Sequence, residues 1–277
     1  MTETWPPYEV LMPLAPWELP AVLEQALDSL AQQKPPPERL VLCVDGPLPA
    51  SLELVVEARW PLPILLLCGP GSDGVGLVLA RGLAQCRCEL ILRADSDDLS
   101  LPDRAAKQLA WMQACPEVIA GSSYIEEFID EREHVVGCRY VPTGRAVQRW
   151  ARWRNPLNHP AVVLRRSEVL AVGGYRDQPG FEDYDLWLRL FHHYGPKAVN
   201  NLPEVLVLAR VGSAHIARRR GIAYAKAEVR FFWRSARERS LAWYHALLVV
   251  LLRLPWRLLP PRALAELMRR MRRSKAP

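Results

Sequence analysis

Two clusters of acidic residues are the part of this sequence best suited to chemistry. The first holds Asp95, Asp97 and Asp98 in "RADSDDLSLP", directly after an apolar run. Carboxylates this close repel one another unless a cation compensates them. Mg²⁺ and Mn²⁺ prefer oxygen ligands, and Mg²⁺ commonly binds one or two carboxylates together with substrate phosphates. The cluster therefore predicts a divalent-metal site; a solvated acidic turn is the alternative interpretation.

The second cluster begins a predicted helix. Glu182, Asp183 and Asp185 stand in "FEDYDLWLRL". Acids in a first helical turn complement the helix dipole, and that role alone could account for them. However, Gly180 and Phe181 precede the acids, and "GGY" stands just upstream. This pattern indicates a loop that brings a carboxylate into a cleft, where it could act as a general base.

The residues before the first cluster alternate between strand and helix patterns. Predicted strands are "YEVLMPL", "RLVLCVDG", "LPILLLCG" and "CELILRAD", and predicted helices are "PAVLEQALDSLAQQ" and "GLVLARGLAQC". This alternation predicts an α/β fold with a mostly parallel, doubly wound sheet flanked by helices. Ligands of such sheets bind beyond the carboxyl ends of the strands. Asp45 and Asp95 both lie at such ends.

Shorter elements are predicted farther along. "SLPDRAAKQLAWMQAC" predicts a helix with Ser100 as its N-cap, and residues 117–165 predict short strands and loops. "SEVLAVGGY" predicts a short helix that ends at Gly173 or Gly174, and "EDYDLWLRLFHHYG" predicts a helix that ends at Gly195. The second acid cluster is thus placed at a helix N-terminus.

The cysteines and histidines indicate neither a disulfide framework nor a metal site. The six cysteines form no C-x-x-C pair and mostly lie in apolar runs, so we expect reduced, buried thiols in a cytoplasmic protein. The six histidines show no metal-ligand spacing. The start, "MTETWPPYEV", lacks the features of a secretory signal peptide.

Positive charge is concentrated at the C-terminal end. Residues 210–277 carry seventeen Lys or Arg against three Glu, a balance of +14, whereas the whole chain has a net charge of +6. The rest of the chain is therefore acidic, and the basic region predicts an anionic partner surface. No recognisable nucleic-acid-binding module accompanies the charge, so a membrane surface is favoured over nucleic acid.

The same region is also apolar and aromatic. Its uninterrupted apolar stretch is shorter than the roughly twenty residues that span a bilayer. Aromatic residues suit a headgroup interface, and arginines suit an anionic surface. The residues concerned are Trp243, Tyr244, Trp256, Arg269, Arg270, Arg272 and Arg273. A helical hairpin that packs on the rest of the protein is the alternative interpretation.

Three segments, taken in order, resemble glycosyltransferase family 2. They are "RADSDDLSLPDRAAKQ", "NPLNHPAVVLRRSEVLAVGGY" and "EDYDLWLRL". "VLCVDGPL" and "RRRGIAYAKAEVRF" are similar to a bacterial subgroup that builds exopolysaccharide and lipopolysaccharide, including the amylovoran-type transferases. The resemblance covers roughly residues 8–235. It implies a GT-A fold and inverting sugar transfer from a nucleotide-sugar donor.

The resemblance implies donor-side roles for five residues. Asp95 matches the first acid of the D-x-D motif, near the ribose and metal, and Asp97 matches the ligand of Mn²⁺ or Mg²⁺ that bridges the diphosphate. Asp45 matches an acid that contacts uracil in relatives, although Val44 and Pro47 replace the usual acid and serine of "DDGS". Donor-side positions are also implied for Pro13, at the end of the first strand, and for Asp73, near the usual asparagine.

On the other side of the reaction, the resemblance implies that Asp183 is the catalytic base, with Glu182 as the nearest competitor. It places His159, Asp185 and Trp187 on the acceptor side. UDP is the expected nucleotide, with GDP and dTDP as alternatives, and a glycan or lipid-linked molecule is the expected acceptor.

A glycine-rich stretch needs separate interpretation. "LLLCGPGSDGVG" fits the dinucleotide-binding pattern G-x-G-x-x-G at Gly69, Gly71 and Gly74, and Asp95 follows at about the distance of a ribose-binding acid. However, a true fingerprint follows the first strand of its unit, whereas this one follows the third strand of the chain. The two acids after Asp95 would also repel a pyrophosphate unless a metal were present. We therefore interpret the glycines as a sharp turn into the second predicted helix.

Together these features predict a metal-dependent inverting glycosyltransferase. Residues 1–100 are expected to form the nucleotide-sugar half, 101–215 the acceptor and catalytic half, and 216–277 a helical basic extension. We expect it in the cytoplasm, peripheral on the inner face of the plasma membrane. A sugar nucleotidyltransferase is an alternative, but "MPLAPW" lacks the glycine-rich basic loop which that class needs. A non-catalytic nucleotide-sugar-binding or scaffold protein is another, and both retained acid clusters argue against it.

Overall fold

The computed structural model describes residues 5–58, 60–212 and 221–257, with backbone alone for 255–257. The chain divides into two compact units, Met1–Arg210 and Val211–Pro277. The strands of the first unit are β1 Tyr8–Leu14, β2 Leu40–Val44, β3 Ile64–Cys68, β4 Leu90–Arg93, β5 Leu99–Ser100, β6 Ala120–Phe128, β7 Val135–Arg139, β8 Val163–Arg165 and β9 Val199–Arg210. Its helices are α1 Pro20–Ala31, α2 Ala50–Glu57, α3 Gly74–Gln85, α4 Arg104–Ala114, α5 Ala146–Ala151, α6 Arg166–Ala171 and α7 Glu182–Tyr194, with a 3₁₀ turn at His159–Ala161. In the second unit, the described helices are α8 Gly221–Arg237 and α9 Trp243–Arg257.

One mixed sheet runs through the first unit. Its strand order is β3-β2-β1-β4-β8-β6-β9-β5, and β7 pairs with β6. The first four strands are parallel, as their alternation with helices predicts. Beyond β4 the sheet is mixed, because β8 is antiparallel to both β4 and β6, whereas β6 and β9 run parallel. The carboxyl ends of β1, β2 and β4 therefore lie side by side.

The core lies on both faces of the parallel half of the sheet. β2 is fully buried along its length, which explains its continuous apolar sequence. On one face, α1 buries four residues at helical spacing, Leu23, Ala26, Leu27 and Leu30. On the other face, α3 packs directly on β1 and β2 at Gly82, where an added Cβ would collide with the side chains of Cys43 and Leu11.

Most of the predicted elements are present. The twelve-residue strand β9 was not predicted, nor was the short helix α5, which lies where short strands and loops were expected. α2 was not predicted; it is only eight residues long, and Leu52 is its one buried residue. The prediction of Ser100 as an N-cap is wrong. Ser100 lies in β5, where it pairs with Val207 of β9 and its backbone N–H donates to the Ser29 hydroxyl (3.1 Å), while α4 begins at Arg104. Pairing with β9 thus keeps residues 99–100 extended.

Candidate active site

The first acid cluster lies in the turn that follows β4. Asp95, Asp97 and Asp98 each offer a carboxylate oxygen, and these oxygens all lie within 4.8 Å of one another. Burial, together with the nearby charges of Asp95 and Glu18, raises the pKa of Asp97 to about 6. The pKa of the buried Asp98 is raised by burial and by both neighbouring aspartates. Three carboxylates are therefore held together at an electrostatic cost that a cation would relieve.

Two arginines hold this turn in place. The buried guanidinium of Arg93, the last residue of β4, donates to the Asp95 carboxylate. The backbone N–H of Arg210, the last residue of β9, donates to Asp98 Oδ1 (2.8 Å), and its Nε donates to the backbone carbonyl oxygen of Asp97 (3.3 Å). Asp98 thus joins the turn to β9, whereas Asp97 forms no ion pair among the described residues.

These carboxylates could hold a divalent cation. Carboxylate oxygens are the ligands that Mg²⁺ and Mn²⁺ prefer, and Mg²⁺ needs only one or two of them when substrate phosphates complete its coordination. Asp97 and the second oxygen of Asp95 are the best placed, because Asp98 is committed to β9. The donor set therefore fits the predicted metal.

The second acid cluster forms the first turn of α7. Asp183 Oδ1 accepts the backbone N–H of Tyr184 (2.6 Å), and Asp183 Oδ2 accepts a hydrogen bond from Asn155 Nδ2 (2.5 Å). His159 Nδ1 lies 3.9 Å from the same Oδ2. Both carboxylate oxygens of Asp183 therefore have fixed positions.

Glu182 is buried beside Asp183, but its carboxyl group is less fully hydrogen-bonded than that of Asp183. Glu182 is 9% exposed, and its Oε2 has no hydrogen-bond partner among the described residues. Burial, together with the charge of Asp183, raises the pKa of Glu182 to about 7. A carboxyl group with this pKa could exchange protons near neutrality, so Glu182 stays a competitor for the role of base.

Acids of both clusters lie close enough to the Tyr175 hydroxyl to affect its pKa. Burial raises the pKa of Tyr175, Arg93 lowers it, and the charges of Asp183, Glu182 and Asp95 raise it further. Tyr175 is thus within electrostatic reach of acids from both clusters and of the arginine that pairs with Asp95. The structure places the acid clusters at one site, although they are at least 84 positions apart in sequence.

His159 lies inside this site. Its Nε2 is 3.0 Å from the Tyr175 hydroxyl, and its ring meets that of Trp187 edge-on, with centroids 6.2 Å apart. Burial lowers the pKa of His159 well below its usual value, and the positive charge of Arg93 lowers it further. His159 is therefore neutral at physiological pH.

Asp185 and Trp187 lie beneath the site, 2% and 0% exposed. Asp185 pairs with Arg189 (2.8 Å). The Arg189 guanidinium also donates to the backbone carbonyl oxygens of Val172 and Gly174 (2.6 Å each). In this structure Asp185 therefore anchors the segment between α6 and α7, so contact with an acceptor would require movement.

Asp45 occupies the glycine-rich turn. One carboxylate oxygen accepts the backbone N–H of Gly71 (3.0 Å), and the other accepts those of Asp73 (2.9 Å) and Gly74 (3.0 Å) at the start of α3. Gly71 has a φ of 90°, which favours glycine. The N–H groups that would bind a pyrophosphate in a dinucleotide fold here bind a side chain, which agrees with our interpretation of the glycines.

The remaining donor-side candidates lie nearby along the same strand ends. Asp73 directly precedes α3, and its carboxylate pairs with Arg81, which lies in the same helix. Pro13 lies in β1, opposite Cys43 of β2. Asp45, Asp73 and Pro13 therefore belong to neighbouring segments at the carboxyl edge of the parallel strands.

Gly76 provides close contact between α3 and the second acid cluster. An added Cβ would lie far inside van der Waals contact with the Arg176 carbonyl oxygen and 3.1 Å from Glu182 Cβ. We expect Gly76→Ala to displace the start of α7 and to lower turnover by about 10²-fold, because small misplacements of catalytic groups carry costs of that size. Steady-state kinetics and thermal unfolding test this.

Gly82→Ala is the matched control for Gly76→Ala. It adds a methyl group to the same helix, but against Cys43 and Leu11. Both variants should lose about 1–3 kcal/mol of unfolding free energy through overpacking. Gly212→Ala should be neutral, because no atom of the described residues lies within 4 Å of the added methyl group. If activity falls equally in Gly76→Ala and Gly82→Ala, overpacking alone explains the loss, and the positional role of Gly76 is wrong.

The sequence-based candidates did not include Tyr175, Arg93 or Asn155. Tyr175 appeared only as the last residue of "GGY". Arg93 ends an apolar strand. The one sequence feature that could have identified it as a site residue is its charge in an otherwise apolar, buried strand. Asn155 lies in "NPLNHP", in a segment where short irregular elements were predicted, and its contact with Asp183 spans 28 positions. Such a long-range hydrogen bond leaves no periodic pattern in the sequence.

A family model described as "Glycosyl transferase family 2" matches residues 18–173. The chain is 35% identical to the amylovoran biosynthesis glycosyltransferase AmsE of Erwinia amylovora, over 96% of this chain and 100% of that one. It is 31% identical to the UDP-Gal:alpha-D-GlcNAc-diphosphoundecaprenol beta-1,3-galactosyltransferase of Escherichia coli, over 94% of each chain.

A solved structure has the same fold. The mannosyltransferase PcManGT of Pyrobaculum calidifontis, in complex with GDP-Man and Mn²⁺, is 17% identical with a TM-score of 0.61, covering 98% of this chain and 84% of that one. The similarity thus extends over nearly the whole chain.

Proposed function

Because this chain belongs to glycosyltransferase family 2 and has the GT-A fold, we propose that it transfers a sugar, with inversion, from a nucleotide-diphosphate sugar to a glycan or lipid-linked acceptor in cell-surface polysaccharide synthesis. UDP is the proposed nucleotide. The observation that carries the proposal is that Tyr175 lies near acids of both clusters. His159 is 3.0 Å from the Tyr175 hydroxyl and 3.9 Å from Asp183, and Arg93, which pairs with Asp95, is within electrostatic reach of the same hydroxyl. One cluster suits a metal and a diphosphate, and the other suits a base.

On the donor side, we assign Asp97 and Asp95 to a Mn²⁺ or Mg²⁺ ion. Such an ion would neutralise the negative charge that develops on the leaving nucleotide diphosphate. Arg93 holds the Asp95 carboxylate in place, and Asp98 fixes the turn to β9. Asp45, Asp73 and Pro13 are the proposed wall of the nucleotide pocket.

On the acceptor side, we assign Asp183 as the general base. It removes the proton from the acceptor hydroxyl while that oxygen attacks the anomeric carbon and the bond from that carbon to the nucleotide diphosphate breaks. A single displacement of this kind inverts the anomeric configuration. The hydrogen bonds from Asn155 and from the Tyr184 N–H aim the Asp183 oxygens. Neutral His159, between Tyr175 and Asp183, is the proposed contact for the acceptor.

The relatives support a lipid-linked acceptor. The E. coli galactosyltransferase is named for a UDP-Gal donor and a diphosphoundecaprenol-linked acceptor, and the E. amylovora relative for amylovoran biosynthesis. We propose an acceptor of the same class here.

A thermal-shift screen of nucleotide sugars, with and without Mn²⁺, tests the function. We expect one UDP-sugar to stabilise the protein more strongly with Mn²⁺ and to release UDP when acceptor is added, with an inverted linkage by NMR. Pyrophosphate release from a nucleoside triphosphate and a sugar phosphate would instead identify a nucleotidyltransferase. Binding without turnover on any acceptor would favour a scaffold protein.

We also propose that the basic C-terminal region holds the enzyme on the cytoplasmic face of an anionic membrane. Among the described helices, none is long and apolar enough to cross a bilayer. Arg269, Arg270, Arg272 and Arg273 lie outside the described residues, as does the side chain of Trp256. The proposal for these residues therefore depends on charge, because arginines near an anionic surface contribute about 1 kcal/mol each.

Truncation after Ser240 tests this proposal. The full-length protein should float with anionic liposomes, and less so at high salt, because the Debye length is only about 8 Å at physiological ionic strength. The truncated protein should not float, yet should still bind UDP. Its activity should fall more on a lipid-linked acceptor than on a short soluble one. Equal flotation of both proteins, or of neither, would contradict the proposal.

A further inference from the structure

Helix α9 turns its apolar side chains outward. Its exposed residues repeat every four positions along one side of the helix. They are Trp243 (70%), Tyr244 (56%), Leu247 (52%), Leu248 (43%), Leu251 (60%) and Leu252 (55%). We call these six residues the apolar face of α9. Single exposed leucines are common on soluble proteins, but a continuous stripe of six large apolar residues marks an interaction surface.

The opposite side of α9 carries the helix's charge. Ala246 and Val249 are buried, and Arg253 pairs with Glu228 of α8 (3.0 Å), which is 2% exposed. A helix in water normally buries leucines and exposes ions. Here the ion pair lies inward and the leucines outward, so the exposed side of α9 suits an apolar environment.

Helix α8 exposes cations on a single stripe. Lys226, Arg230 and Arg237 are exposed there, together with Ile222 (66%) and Trp233 (75%). Lysines and arginines on an exposed stripe with an aromatic residue suit the headgroup region of an anionic bilayer. The two helices thus offer the two chemistries of a membrane interface, apolar on α9 and cationic on α8.

We infer that the apolar face of α9 inserts into the interfacial layer of an anionic membrane, with the helix lying in the plane of the surface. At 1.5 Å per residue, α9 is about 22 Å long, which is shorter than the roughly 30 Å hydrocarbon core. A second copy of the chain is the less suitable occupant, because pairing would bring together two regions that each carry +14. Anionic lipid complements that charge.

This inference deepens the proposed function. It rests on that function in one respect, the proposal that the acceptor is lipid-linked and therefore lies at a membrane. It differs from attraction through arginines alone, because adsorption by charge is reversed by salt whereas insertion of leucines is not. The apolar face can be changed without removing any cation, which separates the two mechanisms.

The test compares the full-length protein with a Leu247→Glu/Leu251→Glu variant. The matched control is Leu54→Glu/Val136→Glu, which places two charges at exposed apolar positions (72% and 56%) of the first unit. Each protein is mixed with phosphatidylglycerol–phosphatidylcholine vesicles at low and high salt, and flotation is measured. Quenching of tryptophan fluorescence by brominated lipid reports insertion.

We expect the unchanged protein and the control to stay partly bound at high salt and to be quenched. The α9 variant should lose at least about tenfold in partition coefficient and lose quenching, because two leucines no longer enter the lipid. All three should bind UDP equally. Failure of the unchanged protein to bind UDP would count against the proposed function and not against this inference. Undiminished flotation and quenching of the α9 variant would overturn the inference. So would a dimer in light scattering that dissociates only in that variant, since the face would then join two copies.

Discussion

Asp183→Asn is expected to lower the turnover number by about 10²–10⁴-fold, the usual contribution of general base catalysis. An amide cannot accept the proton of the acceptor hydroxyl at neutral pH. Donor affinity should change little, because the assigned base acts on the acceptor. Transfer kinetics and calorimetric titration with UDP, compared with those of the unchanged protein, measure both effects.

Two further variants make this result specific. Asn155→Ala removes the hydrogen bond to Asp183 Oδ2 but leaves the carboxylate, so it should reduce turnover by a smaller factor, about tenfold. Glu182→Gln removes the buried carboxyl group whose pKa is about 7. If Glu182→Gln is inactive and Asp183→Asn is nearly normal, Glu182 is the base and our assignment of Asp183 is wrong, but the displacement mechanism is not contradicted.

Asp97→Asn is expected to abolish metal-dependent turnover, with a loss of about 10²–10³-fold at saturating donor. A neutral amide oxygen is a weaker ligand than a carboxylate, and the metal's contribution to charge stabilisation amounts to several kcal/mol. The fold should be kept, because no ion pair of Asp97 is lost among the described residues. The activity is measured across a Mn²⁺ titration, with thermal unfolding of the metal-free protein alongside.

Asp103→Asn is the control for charge alone. Asp103 is an exposed acid at the start of α4, paired with Lys107 (2.6 Å), and its loss should leave the Mn²⁺ dependence unchanged. Asp98→Asn should behave differently again, since it weakens the bond to the Arg210 N–H and should lower the unfolding temperature. Normal activity of Asp97→Asn with an unchanged Mn²⁺ response would exclude Asp97 from the metal site.

The parallel half of the fold was predictable from sequence because each of its strands is locally marked. β2 is a continuous apolar run, β1 and β4 are apolar except for Glu9 and Arg93, and the buried α1 residues repeat at helical spacing. The mixed half was harder to predict. β8 has three residues and β5 has two, and such strands depend on their partners rather than on their own pattern. The mistaken cap at Ser100 has the same cause.

The candidate site divides in the same way. The acids are clustered in sequence, so Asp97 and Asp183 could be chosen as candidates from sequence alone. Their roles stay predictions. The burial of Asp185 against Arg189 could not be predicted from sequence, because an acid in a first helical turn gives the same sequence pattern whether it faces solvent or the core. The adjacency of the clusters around Tyr175 depends on β4 and β8 being neighbours, which is a property of the whole sheet.

The carboxylate of Asp45 in the glycine-rich turn has a consequence for the resting enzyme. An anion that arrives from solution must surrender translational freedom, whereas this one is tethered to β2 and is present at a high effective concentration. The three N–H groups at the start of α3 are therefore satisfied whether or not a nucleotide is present. If this turn borders the donor pocket as proposed, that edge is preorganised, and donor binding need not expend free energy on ordering it.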